Sequence, residues 1–414
     1  MTTLFMETPQ ATFSTQFWGS ITGSVTRDTT AATDPLGLSS WKCDSGAGNA
    51  AAYGYKEISL YRLSVYLYFV NWPSSDIRII NFNTPVLQVT SGGVLKLSSG
   101  ETGSTLSLNT LYRISMAAST TGVRVYLNGN LDISKDTAYS APTLFSIGWN
   151  AAPGANKVLN FSHVYVDDVT DLTDPAGGSG YGLYVTAKLP AAVNNNQYTT
   201  TGGTGAVNER PLSETNHKAE LGKTQYLQDY TLQTAAVGDV NLTASGITLI
   251  ARCAWMWAKS SKAITIYIVD NGDSATGFSI NSTYILCTKL TDSATYPSNA
   301  AGIGQKSTGT GEDSYLAECG TLIAYKQSTG GIAYLTLQSV AGIAAVNNLV
   351  VGTPLVTLQS VAGVASVTNL NIATPGNLAL QSVAGVASVT NVVVGTPLVT
   401  LQSVAGVASL PNVN

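Results

Sequence analysis

Asp167, Asp168, Asp171 and Asp174 fall within one short stretch, VDDVTDLTD. Calcium takes about six to eight oxygen ligands, and a run of carboxylates at the end of a strand is a residue pattern able to supply them. Asp167, Asp168 and Asp171 are therefore the candidate calcium ligands, and calcium is the single cofactor the residues suggest. The competing reading is a polar strand end that grades into a linker. Asp270 and Asp273, in VDNGD, fit a hairpin turn and lack the spacing of an EF-hand.

Other chemistry finds little to stand on. His163 and His217 are the two histidines of the chain. No G-x-S-x-G elbow or H-E-x-x-H helix accompanies either. His163 falls inside the strand-like NFSHVYV and reads as a structural histidine with its partners satisfied. His217, in the polar SETNHKAEL, reads as solvated. GIGQKS (302–307) lacks the G-K-[ST] order of a phosphate loop. No pair of carboxylates is singled out for glycoside hydrolysis. The expectation is no catalytic residue and no enzyme. Cys43, Cys253, Cys287 and Cys319 are far apart with no C-x-x-C, which argues against zinc and for free thiols in a reducing cytoplasm. Tyr53, Tyr55 and Trp72 are of a type that stacks on sugars if surfaced in loops. Trp255 and Trp257 share an alternating face with Cys253 and belong to a core.

These residues are carried on strands. The chain has 414 residues, 11% of them charged, 44% hydrophobic, with 40 glycines and a net charge of −4. That balance excludes a disordered chain and disfavours a nucleic-acid binder. The N-terminus MTTLFMETPQ lacks a basic segment followed by an apolar one, and no stretch of about 20 apolar residues lacks polar breaks. No membrane partner is expected. YRLSVYLYFVNW (61–72), VLNFSHVYVDDV (158–169), ITLIARCAWMWAK (247–259) and AITIYIVDNG (263–272) alternate with period two. VRVYLNGNLDI (123–133) turns at Asn128-Gly129, the dipeptide suited to a type I′ hairpin. The expected fold is all-β, with a first sandwich over 1–173, a Gly-rich linker at 174–182, a second sandwich over 183–326 and a repeat tail over 327–414.

Within 1–173, the order SSWKCDSG, YRLSVYLYFV, LYRISMAASTTGVRVYLNGNLDI and FSHVYVDDV resembles the concanavalin A-like (laminin-G-like) jelly roll. Many members of that family bind glycans or calcium, and others serve as spacers in bacteriophage virions. The stretch AVNERPL, YLQDYTL and ITLIARCAWMWAKSSKAITIYI resembles a sandwich domain of tailed-phage structural proteins.

The tail is unusual. From residue 327 to the end there is no Asp, Glu, Lys or Arg. Leu-Gln-Ser begins at Leu337, Leu358, Leu380 and Leu401, in steps of 21, 22 and 21 residues, and Pro354, Pro375 and Pro397 punctuate the units. Such a period marks a repeat architecture. Charge-free strands of this kind need pairing or cover. They are expected to pair with other copies in an intertwined shaft, to lie against another protein, or to form a small β-solenoid capped by the chain's own second domain. These leucines and prolines are the candidate assembly residues. Together with the two upstream resemblances, the tail resembles repeats of phage virion proteins. The resemblance implies a virion structural protein made in the host cytoplasm, a capsid- or tail-mounted decoration or fibre. It is expected to form a homo-oligomer, a trimer, in contact with other virion proteins. The alternative is an adhesin for host-surface glycans.

Overall fold

A computed structural model describes residues 2–9 and 17–196 without a break, and from 199 to 409 chiefly the strands and the turns beside them. The fold is all-β, built of several mostly antiparallel sheets followed by a parallel repeat. Among the described residues no helix is long and apolar enough to cross a membrane.

Two sheets face each other across the first core. One runs in the order Asn130–Lys135, Gly122–Leu127, Leu111–Ser119, Arg62–Phe69, Val158–Asp167, Ser40–Asp44 and Ser24–Asp28, with Thr3–Glu7 added beside Val158–Asp167. The other runs Thr102–Thr105, Val94–Leu97, Val86–Val89, Ile77–Asn81, Leu144–Trp149, Ala52–Glu57 and Ser20–Thr22. Leu63, Val65, Leu67 and Phe69 alternate into the core between them, as period-two patterning requires. The Asn128-Gly129 turn forms as expected. Leu127 pairs with Asn130, and φ is 51° at Asn128 and 85° at Gly129.

The Ile247–Ser260 strand is flanked by Ile285–Thr291 and by Asp313–Ser328. Its alternating face, Ala251, Cys253 and Trp255, joins the same core as the first sandwich. Its other face, Ala254, Met256 and Ala258, packs with Ile266, Ile268, Cys287 and Cys319 in a second core. A single-faced reading of this strand therefore tells half of it, because both faces are covered. Residues 1–178 and 183–327 form one compact unit, so both sandwiches lie within it. All four cysteines are free and buried.

Residues 328–414, with 179–182, form the second unit. Leu335–Ser339, Leu355–Ser360, Asn377–Ser382 and Leu398–Ser403 make one parallel sheet. Ile343–Val351, Val364–Ile372, Val386–Val394 and Val407–Ser409 make the other. Each repeat gives one strand to each sheet, the arrangement of a β-solenoid. The strands pair within the chain, as in the solenoid alternative. Pro354, Pro375 and Pro397 lie outside the described residues.

Candidate functional site: aspartate clamps, a neutral cleft and the repeat stack

The aspartate cluster sits where the last strand of the first sandwich ends. Asp167 is the cross-strand partner of Arg62. The guanidinium grips it with two bonds, Nε to Oδ1 at 2.9 Å and Nη2 to Oδ2 at 2.8 Å. The same guanidinium donates through Nη1 to Asp171 Oδ1 at 2.8 Å and Thr173 Oγ1 at 2.9 Å. Arg113, one strand over, holds both oxygens of Asp174 at 2.8 and 2.9 Å and donates to the Gly178 carbonyl. Tyr126, a further strand over, donates to the Leu172 carbonyl at 2.6 Å. Three adjacent strands thus strap residues 171–178 across the sheet. Fork-to-fork pairs of this kind fix geometry as well as charge.

Of the candidate calcium ligands, the structure brings Asp167 and Asp171 onto one arginine and sends Asp168 elsewhere. Asp168 accepts the Thr2 amide at 2.6 Å. Among the described residues no three His, Cys, Asp or Glu side chains gather as metal ligands. Burial raises the Asp174 carboxyl, but the hydrogen bond and charge of Arg113 outweigh it and leave the group below its ordinary value. The sequence reading missed the arginines. Arg62 and Arg113 alternate away from the core-facing leucines, isoleucine and methionine of their strands and yet are buried, which nothing local in the sequence shows.

His163 is fully buried at φ 51°, in a bulge where the pairing register shifts. Its Nδ1 accepts the Val185 amide at 3.0 Å, so the ring proton belongs on Nε2. Nε2 lies 3.0 Å from Asp34 Oδ2, a close polar contact without the straight line of a good hydrogen bond. Asp34 is itself buried. Burial raises it, while His163 and the Leu36 and Leu38 amides more than offset this and hold it low. Tyr66 and Tyr184 close on the imidazole edge-on, and Tyr184 stacks on Tyr325. This is a buried staple between the sandwiches with no face left for a substrate. His217 and Asp273 lie outside the described residues.

Thr3–Glu7 carries a group that sequence reasoning passed over. Glu7 is fully buried, accepts Trp41 Nε1 at 2.8 Å through Oε1, and leaves Oε2 without a hydrogen-bond partner. Burial pushes its carboxyl up to about 8, against the smaller opposing pull of the Trp41 bond. An aliphatic residue in TLFME would have been the ordinary choice, so a glutamate there was the available clue.

The stacking candidates divide. Trp72 packs on Phe69, with ring centroids 5.1 Å apart. Tyr53 and Tyr55 are half-buried on the Ala52–Glu57 strand, and Tyr55 donates to Glu57 at 2.7 Å. A separate cleft of about 510 Å³ opens between Phe82–Thr84 and Ala138–Thr143. Its polar lining is Asn83, Thr84, Tyr139, Ser140 and Thr143, with no charge. Both walls are held by backbone bonds, Phe82 N to Pro85 O on one and Tyr139 N to Ser119 O and Ile58 N to Thr143 O on the other.

In the repeat stack, register places Leu337, Leu358, Leu380 and Leu401 in one row. Every rung matches its neighbours residue for residue through Leu-Gln-Ser.

No protein-family model matches the sequence, and no curated protein matches it. Solved structures with some likeness include the cellulose induced protein Cip1, at 15% identity and a TM-score of 0.29, covering 40% of this chain and 90% of that one. Domain 4 of AbnA, a GH43 extracellular arabinanase from Geobacillus stearothermophilus solved with arabinotriose, gives 14% and 0.27, covering 42% and 98%. A Trypanosoma rangeli sialidase gives 11% and 0.27, covering 36% of this chain and 28% of that one. All three values are far below the level at which two chains share a fold, and they carry no argument about function.

Proposed function

We propose that this chain is a structural, non-catalytic component of a tailed-phage virion, a capsid- or tail-mounted decoration or fibre that assembles through its C-terminal repeats and displays its sandwiches. The observation that carries this reading is the charge-free, in-register stack of near-identical rungs. Parallel strands of this kind are an element for joining and extending, and nothing in them reacts. The jelly-roll resemblance of the first 173 residues and the full burial of His163 support the same reading. Its partners are copies of itself and other virion proteins. The test is a comparison of the full chain with one ending at Lys326. The shorter chain should stay folded, because residues 1–178 and 183–327 form a compact unit of their own. It should lose self-association and incorporation into particles. Retention of both by the shorter chain would overturn the assembly role.

A second reading, a glycan-binding adhesin, is favoured by one observation, the neutral cleft. Neutral sugars bind where a few fixed hydroxyl and amide groups meet an aromatic ring, and Asn83, Ser140, Thr143 and Tyr139 are such a set. Retention on a panel of immobilised neutral glycans, abolished by Tyr139→Ala, would move this reading ahead.

A further inference from the structure

The Leu398–Ser403 strand reads LVTLQS, letter for letter the sequence of Leu355–Ser360. Leu355–Ser360 is paired on both edges, by Leu335–Ser339 and by Asn377–Ser382, parallel and in register. Leu398–Ser403 is paired, among the described residues, by Asn377–Ser382 alone. The second sheet repeats the contrast. Val364–Ile372 has a parallel neighbour on each side, while Val407–Ser409, which repeats its first three residues, has one. At the opposite end, Leu335–Ser339 and Ile343–Val351 likewise have one neighbour each among the described residues. An open strand edge carries backbone donors and acceptors that seek a partner, and proteins usually block it with lysine or another charge. Residues 327–414 contain no charged side chain.

We propose that the last rung, Leu398–Ser403 with Val407–Ser409, accepts the first rung, Leu335–Ser339 with Ile343–Val351, of a second copy of this chain. The two join in parallel and in register, so that Leu401 continues into the row that starts at Leu337 of the next copy. This rests on the reading of the repeats as the assembly element and adds which edge is used and in what register. The molecule supplies the template for the contact: an LVTLQS strand held between two L-Q-S neighbours. The joint is heterologous, since the two rungs differ in position along the chain, and a straight stack does not close on a fixed number of copies.

The test uses the full chain in sedimentation velocity over a concentration series, beside Val399→Pro and Thr400→Pro. Neighbouring residues of a strand direct their N–H groups to opposite edges, so one of these prolines blocks the free edge and spares the bonds to Asn377–Ser382. That variant should keep the parent far-UV spectrum and melting curve and sediment as a monomer throughout. The parent should sediment faster as concentration rises. A chain ending at Val394 exposes a rung with the same L-Q-S and should still associate. The proposal falls if a folded proline variant associates as the parent does, if the Val394 chain is monomeric, or if the parent is a fixed trimer at every concentration. Should neither proline variant fold, the Val394 chain decides: association upholds the proposal and its loss overturns it. A monomeric Lys326 chain beside associating proline variants would sink the edge alone and leave the assembly role standing. An associating Lys326 chain would sink the assembly role itself.

Discussion

At the scale of single residues, two buried carboxyls give the stability profile its two arms. Glu7 titrates near 4.5 when unfolded and about 8 when buried. The folded state therefore keeps a proton that the unfolded state has released. Stability falls as pH rises between those values, by about 1.4 kcal/mol for each unit. Glu7→Gln removes that loss, so its melting temperature should exceed the parent's by a margin that widens from pH 5 to pH 8. Equal slopes for the two proteins would show that Glu7 is ionised in place. Asp174 works in the other sense. Arg113 holds it below its ordinary 3.8, so its contribution is present at neutral pH and drains away as acid carries the pH toward its folded value. Removing one partner of a buried pair typically costs about 3–5 kcal/mol, and Asp174→Ala should lower the melting point accordingly. Asp168→Ala, which loses a bond at the exposed Thr2 amide, should cost under about 1 kcal/mol. The arginine pairing of Asp167 and Asp171 also predicts that a chelator leaves the melt unchanged. A fall of several degrees, abolished by Asp168→Asn, would instead make the cluster a calcium site. The carboxylates were visible in the sequence; their partners were not, because Arg62 lies 105 residues from Asp167 and Arg113 lies 61 from Asp174, and only the folding of the sheet brings each pair together.

At the scale of elements, the period-two pattern was a sound guide to which segments are strands and a poor guide to how many faces they bury. Leu63, Val65, Leu67 and Phe69 announce one face, yet Arg62, Ser64 and Tyr66 on the other are buried too, since a further layer covers the sheet. Polar residues conceal such burial, because their satisfaction depends on partners far along the chain. The Asn128-Gly129 turn was legible because its backbone demand is local. Gly129→Val forces a β-branched residue toward positive φ and should cost about 1–3 kcal/mol. Trp255 offers a sharper test of cross-strand packing. It pairs with Gly320, where a Cβ would stand 2.9 Å from the indole ring, and it meets Phe17 edge-on at 6.1 Å. Trp255→Ala should cost about 3–5 kcal/mol. Gly320→Ala should cost about 1–3 kcal/mol in the parent and close to nothing once Trp255 is alanine. Additive losses in that cycle would place the ring away from Gly320.

At the scale of the whole molecule, charge divides the chain. All the acidic and basic side chains lie before residue 327, and the repeats after it have none. The period of the repeats was legible, since it is written in Leu-Gln-Ser; the choice between pairing within the chain and pairing between chains was not, because identical strands satisfy both. The same identity links the inner stack to its proposed growth. If copies join through the repeats, the contact consists of backbone bonds and apolar burial, which salt does not screen. Raising the ionic strength from about 0.01 M to about 1 M shrinks the Debye length from roughly 30 Å to 3 Å. Contacts between the charged faces of the sandwiches should dissolve over that range. Contacts between the repeats should hold, or tighten slightly where the added salt favours apolar burial. Sedimentation of the full chain at both extremes therefore separates the two, with an unchanged association constant expected. A loss of association at high salt would assign assembly to the sandwiches and leave the repeats to some other partner.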